Sequence, residues 1–438
     1  MQDKFFMPAA FIGRFQPFHN GHLEAIKWIF KKKKEIFIII GSLQEFSTKD
    51  NPFSFQERKK MIEKALLGAG IKSFKIYGVP DSFDDVLWAE KVLEISKTRA
   101  AAKGEKEDLS SSPLKKKEIS VFTQNSWTKR CLEKISVNVF PHSIFFNGLS
   151  ATQIREKILK NEKWEDLVPK EVLKYLEKIK GAERIKFLQI QPEERIIDFI
   201  RKALKKTGLR GGIMGISGGI DSSVTACLVK KALGKKAIFL CLTFIKSCPL
   251  KDNVSLLEKK IKTKIKRIYL GDIYENFLKI LPEGDEIAKG NLKPRLRMAT
   301  LYYFANLYNL LVIGTTNKSE MEIGFFTKFG DGGVDVEPIA DLYKTEVIEM
   351  AKRLKLPKEI IETVPTADLW PGQTDEKEIG LNYQKLDTIL KLLNQDFKKK
   401  EISLLTDISE NKIKKILERK KKNVHKLSLP PCASSGWV

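Results

Sequence analysis

Apolar residues along this 438-residue chain follow two rhythms. Short continuous apolar runs bounded by glycine or charge alternate with longer stretches in which apolar positions recur every three or four residues, the pattern of strands buried between helices. The first part predicts a strand over 7–12, a loop, a helix from about Gly21, a strand over 35–40 and a helix opening after Ser54. Ser54 with Glu57, and Ser150 with Gln153, have the capping-box spacing and so mark two helix starts. A second series follows: a helix over 192–206, a strand over 212–215, a glycine-rich turn, a helix from about Asp221, and strands over 237–242 and 310–314. Such alternation predicts an α/β protein with two doubly wound, Rossmann-like parallel sheets, in domains spanning 1–182 and 188–438. No fixed-period repeat is present. Residues 97–117, rich in Lys, Glu, Ser and Ala, are expected to form a mobile surface insertion.

Composition adds limits rather than chemistry. With 42% apolar and 31% charged residues the chain can fill two cores. The apolar run over 36–40 is far too short to span a bilayer, and Met1-Gln2-Asp3-Lys4 does not open a signal peptide, so a cytoplasmic location is expected. Cys131, Cys227, Cys241, Cys248 and Cys432 contain no C-x-x-C pair and are expected to be reduced and mostly buried. The net charge of +24 suits nucleic acid, an anionic membrane or phosphate-rich small molecules. The lysine runs at 31–34, 398–400 and 420–422 look like solvated helix faces and ends, so small molecules are the expected partners, with no nucleic acid and no membrane.

Chemistry enters at the first strand-to-helix turn, where His19 and His22 stand three residues apart around Gly21. Free backbone N–H groups and the helix dipole favour phosphate there, imidazoles add donors, and glycine permits close approach, which makes a triphosphate cradle. Attack on an α-phosphorus needs positioning and charge neutralisation more than a covalent enzyme intermediate, and Arg155 is a suitable distant cation. His19-Asn20-Gly21-His22 and the run from Ser150 to Arg155 resemble the two signatures of the HxGH nucleotidyltransferases. Residues 13–22, Asn51-Pro52-Phe53, Glu57-Arg58, Trp88, Asn125 and Lys163-Trp164-Glu165 are similar, over about residues 5–185, to the archaeal-type nicotinamide mononucleotide adenylyltransferases. That resemblance implies ATP and a pyridine mononucleotide giving a dinucleotide and pyrophosphate. It assigns Arg14, His19, His22 and Arg155 to ATP phosphates and Trp88 and Asn125 to the pyridine substrate, with Trp88 stacked on the ring. Two departures stand out: Phe46-Ser47 replaces the family's Ser-His, and the insertion lies outside its pattern.

The second turn reads Ser217, Gly218, Gly219, Ile220, Asp221, Ser222 and Ser223, with glycine N–H groups and serine hydroxyls at a helix start. Pyrophosphate fits such a turn, and no Gly-Lys-Ser/Thr follows to make it a Walker loop. Asp221 suggests a magnesium ligand beside a leaving pyrophosphate. The turn resembles that of the ATP pyrophosphatases (PP-loop enzymes). Residues 291–298, 314–320, 324–335, 365–369 and His425-Lys426 resemble NAD synthetase in order and spacing, over about residues 188–438. This implies ATP contacts from residues 217–223, Thr315, Lys344 and Thr366, and Mg²⁺ on Asp221 and Glu320. Deamido-NAD would meet Arg295, Lys328, Asp331, Asp335, His425 and Lys426. The implied catalytic groups are His19, His22 and Arg155 in the first half and Asp221 and Lys344 in the second.

The implied product is NAD, formed when ATP activates the nicotinate carboxylate as an acyl adenylate and ammonia displaces AMP. A glutamine-using version would need a further amidase domain with a nucleophilic cysteine, so free ammonia or a separate partner protein is expected to supply nitrogen. Two rival readings remain open: an RNA-modifying PP-loop enzyme, or a chain in which one half only senses nucleotides. Relatives of both halves form oligomers, which implies at least a homodimer.

Overall fold

Ile36-Phe37-Ile38-Ile39-Ile40 has no polar face, so every side of that strand must be covered. It becomes an interior strand of a parallel sheet with all five residues buried. The computed structural model describes residues 9–33, 35–81, 84–98, 120–123, 125–140, 149–245 and 251–428. Residues 99–117 of the expected insertion, and Cys248 and Cys432, lie outside the described residues. The other three cysteines are free and buried. Among the described residues no helix is long and apolar enough to cross a membrane.

The chain divides into two compact units, Met1–Ile190 with Lys391–Asp407 and Gln191–Leu390 with Ile408–Val438. The first runs β1 (Ala9–Gly13), α1 (Asn20–Lys33), β2 (Ile36–Ile40), α2 (Phe55–Gly68), β3 (Phe74–Gly78), α3 (Asp85–Thr98), β4 (Ser120–Phe122), α4 (Ser126–Lys134) and β5 (Asn138–Phe140). Helices α5 (Ala151–Lys160), α6 (Lys170–Lys178) and α7 (Gly181–Gln189) follow. All strands are parallel in the order β3-β2-β1-β4-β5. Both capping boxes form as the spacing predicts, at Ser54 and at Ser150.

The second unit opens with α8 (Pro192–Thr207), β6 (Gly211–Gly215), α9 (Ile220–Leu233), β7 (Ala237–Thr243), α10 (Lys251–Ile261), β8 (Lys266–Tyr269), α11 (Gly271–Ile280), α12 (Glu286–Tyr308) and β9 (Leu310–Val312). Its four parallel strands lie in the order β8-β7-β6-β9. Strand residues alternate between two cores: Met214, Phe239 and Cys241 pack with α8, α9 and α10, while Ile213, Leu240 and Leu242 pack with α12. The strand expected over 310–314 ends at Val312, because Ile313 instead bridges Val336 and the Gly314 N–H donates to the Val336 carbonyl.

Helices α13 (Lys318–Ile323), α14 (Lys344–Arg353), α15 (Lys358–Ile361), α16 (Asp375–Ile379), α17 (Tyr383–Leu393), α18 (Lys399–Thr406) and α19 (Glu410–Asn423) complete the chain. Residues 391–407, which the sequence places in the second domain, group with the first unit. There the Gln395 amide donates to the Leu43 carbonyl at 2.9 Å and accepts from the Phe55 N–H at 2.7 Å, capping the start of α2. Lys91 pairs with Asp407 at 2.7 Å.

In each sheet the strand order reverses beside the first strand, between β1 and β4 and between β6 and β9. Loops leaving neighbouring strands at that point run to opposite faces and open a crevice at the carboxyl ends, where open α/β sheets bind ligands. The turn with His19 and His22 follows β1, and the serine-glycine turn follows β6.

Candidate active sites

In the first unit the imidazoles of His19 and His22 stack, with ring centroids 3.6 Å apart. The His19 N–H donates to His22 Nδ1 at 3.2 Å and the His22 N–H to His19 Nδ1 at 3.4 Å. With both Nδ1 atoms accepting, a neutral ring carries its proton on Nε2, so each becomes a donor there. Phe15 and Phe18 hold the His22 ring edge-on and tilted, at 4.9 and 5.3 Å. From α5, Arg155 crosses to the same turn and donates to the Gln16 carbonyl at 2.7 Å. Burial and the nearby Arg14 charge lower its pKa, which Asp50, 4.0 Å away, only partly offsets.

Arg58, fully buried on α2, donates to the carbonyls of Gly41 (2.7 Å), Ser42 (3.1 Å) and Arg14 (3.2 Å). It ties the loops after β1 and β2 together. Burial pulls its pKa down to about 9, and these carbonyls favour the charged form at neutral pH. Gln16 adds a reciprocal pair with the Phe53 backbone, donating at 3.0 Å and accepting at 2.9 Å. A cavity of about 530 Å³ lies beside the turn, between Asn20, Gly21 and Glu24 of α1 and Gln153, Glu156 and Lys157 of α5.

The second unit holds a larger cavity of about 950 Å³, a size suited to a nucleotide. Its floor is the turn after β6. Gly218 has φ +89°, a conformation that favours glycine, and its carbonyl accepts from Asn253 at 3.1 Å. Ser217 and Ser222 hydroxyls lie 3.0 Å apart, and Ser223 donates to the Gly219 carbonyl at 2.8 Å, so the serines shape the turn.

At the head of this cavity the Lys344 ammonium sits 2.5 Å from Asp221 and 3.5 Å from Glu320. Burial works against that charge, but the two carboxylates outweigh it and raise the lysine pKa. Glu320 is pushed up, toward about 8, by burial and by Asp221. Asn317 caps α13 and also donates to Asp221 at 3.0 Å, so one side chain sets both acids. The start of α14 is held by Ser319, which accepts from the Lys344 N–H at 2.8 Å, and by Asp387, which accepts from Thr345 at 3.0 Å. Two carboxylates converging on one cation is a donor set that fits Mg²⁺, which takes one or two protein carboxylates and completes its shell with phosphate and water.

Comparison with known proteins bears on this arrangement. Residues 193–430 match the NAD synthase family and residues 10–157 the cytidylyltransferase-like family. The NH(3)-dependent NAD(+) synthetase of Archaeoglobus fulgidus is 42% identical over 244 residues, 55% of this chain and 95% of that protein. The chain belongs to the NAD synthase family. The synthetase of the same name from Methanocaldococcus jannaschii is 45% identical over 243 residues, 54% of this chain and 94% of that protein. A solved NH3-dependent NAD synthetase from Campylobacter jejuni is 30% identical, with a TM-score of 0.48 over 55% of this chain and 97% of that one.

Within this NAD synthase unit, Ser217, Gly219, Ile220, Asp221, Ser222, Thr315, Glu320, Asp331, Lys344, Thr366 and Lys426 all line the cavity. Gly218 and Ser223 lie behind it, supporting the turn. Four expected substrate contacts do not line it: Arg295, Lys328, Asp335 and His425. Arg297, two residues along α12 from Arg295, lines it instead and donates to the Leu242 carbonyl at 3.2 Å. Two helical residues are about 200° apart, so both cannot share a face. Asp335 is engaged by the Tyr302 hydroxyl at 2.9 Å and the Val312 N–H at 2.7 Å, which makes it a tie to β9. Lys328 donates to the His425 carbonyl at 2.6 Å.

In the cytidylyltransferase-like unit the imidazoles of His19 and His22 do not line the described cavity, though Asn20 and Gly21 between them do. Trp88 is 1% exposed and packs in the core against Trp127 at 4.8 Å, so its ring is not open to the stacking expected of it. Asn125 caps α4, accepting from Thr128 at 2.9 Å. Arg297 and Asn317 stand within the runs that resemble NAD synthetase but receive no role there, while Asp375 and Tyr383 carry no motif signal; the contacts of all four come from neighbours distant in sequence.

Proposed function

We propose that the chain performs two consecutive steps of NAD biosynthesis: adenylylation of nicotinate or nicotinamide mononucleotide, then amidation of deamido-NAD with ammonia. For the second step, relatives named as NH(3)-dependent NAD(+) synthetases, more than 40% identical along most of their length, support ammonia as nitrogen donor. For the first, support comes from the cytidylyltransferase-like match and from Arg155 reaching the His19–His22 turn across the sheet's point of reversal.

In the first unit the Nε2–H donors, the N-terminus of α1 and the guanidinium groups of Arg14 and Arg155 would neutralise ATP phosphates while a mononucleotide phosphate oxygen attacks the α-phosphorus and pyrophosphate leaves. In the second, the turn over 217–223 would hold the pyrophosphate end of ATP while a nicotinate carboxylate oxygen attacks the α-phosphorus, the bond to the bridging oxygen breaks and pyrophosphate leaves, giving the acyl adenylate. Ammonia then attacks the acyl carbon, and AMP departs with the bonding pair. Mg²⁺ bound by Asp221 and Glu320 would offset phosphate charge. Asp331, which lines the cavity, would hold ammonium or take its proton. A homodimer fits the exposed apolar side chains Ile273, Phe277 and Ile280 on α11 and Tyr303 and Leu307 on the C-terminal part of α12.

One observation weighs most: a lysine ammonium, two carboxylates and a pyrophosphate-type turn meet at the head of one nucleotide-sized cavity. The test is a time course with nicotinate mononucleotide, ATP, Mg²⁺ and ammonium, following both dinucleotides. The wild type should make NAD, Asp221→Ala should stop at deamido-NAD, and His22→Ala should make neither. Failure of Asp221→Ala to accumulate any dinucleotide would refute the two-step reading.

A further inference from the structure

The carboxyl groups of Asp221, Glu320 and Asp375 line the second cavity together with the Lys344 ammonium. Asp221 and Glu320 both contact Lys344. Asp375, at the start of α16, lines the same cavity and is only 4% exposed. Its Oδ2 accepts from the Tyr383 hydroxyl at 2.8 Å, while its Oδ1 is buried with no partner among the described residues. Tyr383 also reaches Glu320 Oε1 at 3.5 Å, and the face of its ring lies 5.0 Å from the Lys344 ammonium.

Asp221 and Glu320 are the carboxylates that the proposed function gives to the divalent cation, so Lys344 stands where that cation must go. The ammonium and a divalent cation compete for the same pair of oxygens, since like charges at contact distance in a partly buried site repel strongly. Metal entry therefore requires the ammonium to leave. A buried ammonium leaves only if another anion receives it. Two receivers belong to the same cavity: the orphan oxygen of Asp375 on its wall, and the phosphates that a nucleotide would bring to the turn after β6. Asp375 lies close enough for its charge to be felt at Lys344, and each stabilises the ionised form of the other.

We propose that Lys344 is a stand-in for the divalent cation: it bridges Asp221 and Glu320 before nucleotide arrives, and the metal replaces it there, releasing the ammonium toward Asp375 and the phosphates. The exchange has two consequences. It offsets the repulsion between the two acids while the site waits, and it links metal capture to delivery of the lysine. It rests on the assignment of metal to Asp221 and Glu320.

The test uses Mn²⁺ binding to the full chain without nucleotide, read by electron paramagnetic resonance rather than turnover. Lys344→Met should tighten Mn²⁺ binding at least about ten-fold, because the competing charge is gone. Unchanged or weaker binding overturns the exchange. Adding Asp221→Asn to Lys344→Met should abolish the tight class. If it persists, the metal does not use Asp221, and the assignment beneath the proposal fails rather than the competition. A second measurement needs no variant. Lys344 of the wild type, 2% exposed, should acylate slowly with a water-soluble amine reagent and several-fold faster with Mn²⁺ present, as quantified by peptide mass spectrometry. No acceleration at saturating Mn²⁺ equally overturns it.

Discussion

Arg155 directs its hydrogen bonds to a backbone carbonyl and a threonine hydroxyl, and meets a carboxylate only at 4.0 Å. Its charge is thus left for a ligand. Arg155→Ala should lower kcat/KM for adenylyl transfer by about 100- to 1000-fold, the usual cost of one well-placed charge donor, in an assay of pyrophosphate release. Arg155→Lys should recover only part, since an ammonium cannot form the planar fork. Glu337 illustrates the opposite case, an acid better off neutral. One oxygen accepts from the Thr316 N–H at 3.0 Å, the other is buried without a partner among the described residues, and burial pushes its pKa from 4.5 up to about 8. Such a group keeps its proton longer in the folded state, so its contribution to stability falls as pH rises from about 4.5 through about 8 and then levels off. Glu337→Gln should remove that slope. Its thermal midpoint relative to wild type should climb by an amount worth about 1–3 kcal/mol between about pH 5 and about pH 9.

At the scale of elements, helix starts deliver the chemistry. The Ser150 hydroxyl accepts from Gln153 at 3.2 Å and the Gln153 side chain returns the bond at 2.8 Å, which sets the first turn of α5 and hence Arg155. Ser150→Ala should cost about 1 kcal/mol in urea denaturation. Adenylyl transfer should fall more steeply than that loss alone accounts for. In the second unit, Gly218 at φ +89° permits the turn that lines the cavity. Gly218→Ala should cost about 1–2 kcal/mol and weaken binding of a fluorescent ATP analogue. These features were legible because caps and glycine turns are local: the spacing of Ser150 and Gln153, or of Gly218 and Gly219, contains nearly all the information that the geometry needs.

For the whole molecule, the apolar face on α11 and α12 leads to an expected dimer. Phe277→Glu with Ile280→Glu should yield monomer by sedimentation velocity, because a charge cannot be buried there without a partner. Loss of the dimer with the unit still folded should show in an unchanged far-ultraviolet circular dichroism spectrum.

Sequence alone determined the alternation of strands and helices, the two glycine-containing strand-to-helix turns, the capping boxes and the acids at 221 and 320. Each depends on a period or spacing spanning a few residues, or on a resemblance carried by such runs. Only the tertiary structure decided that Trp88 is covered by core, that Arg297 rather than Arg295 lines the cavity, that residues 391–407 group with the first unit, and that Lys344 lies between Asp221 and Glu320. The reason is distance along the chain. Which face of a helix meets a cavity, and which charge meets which, depends on packing between segments far apart in sequence, and no local pattern encodes it.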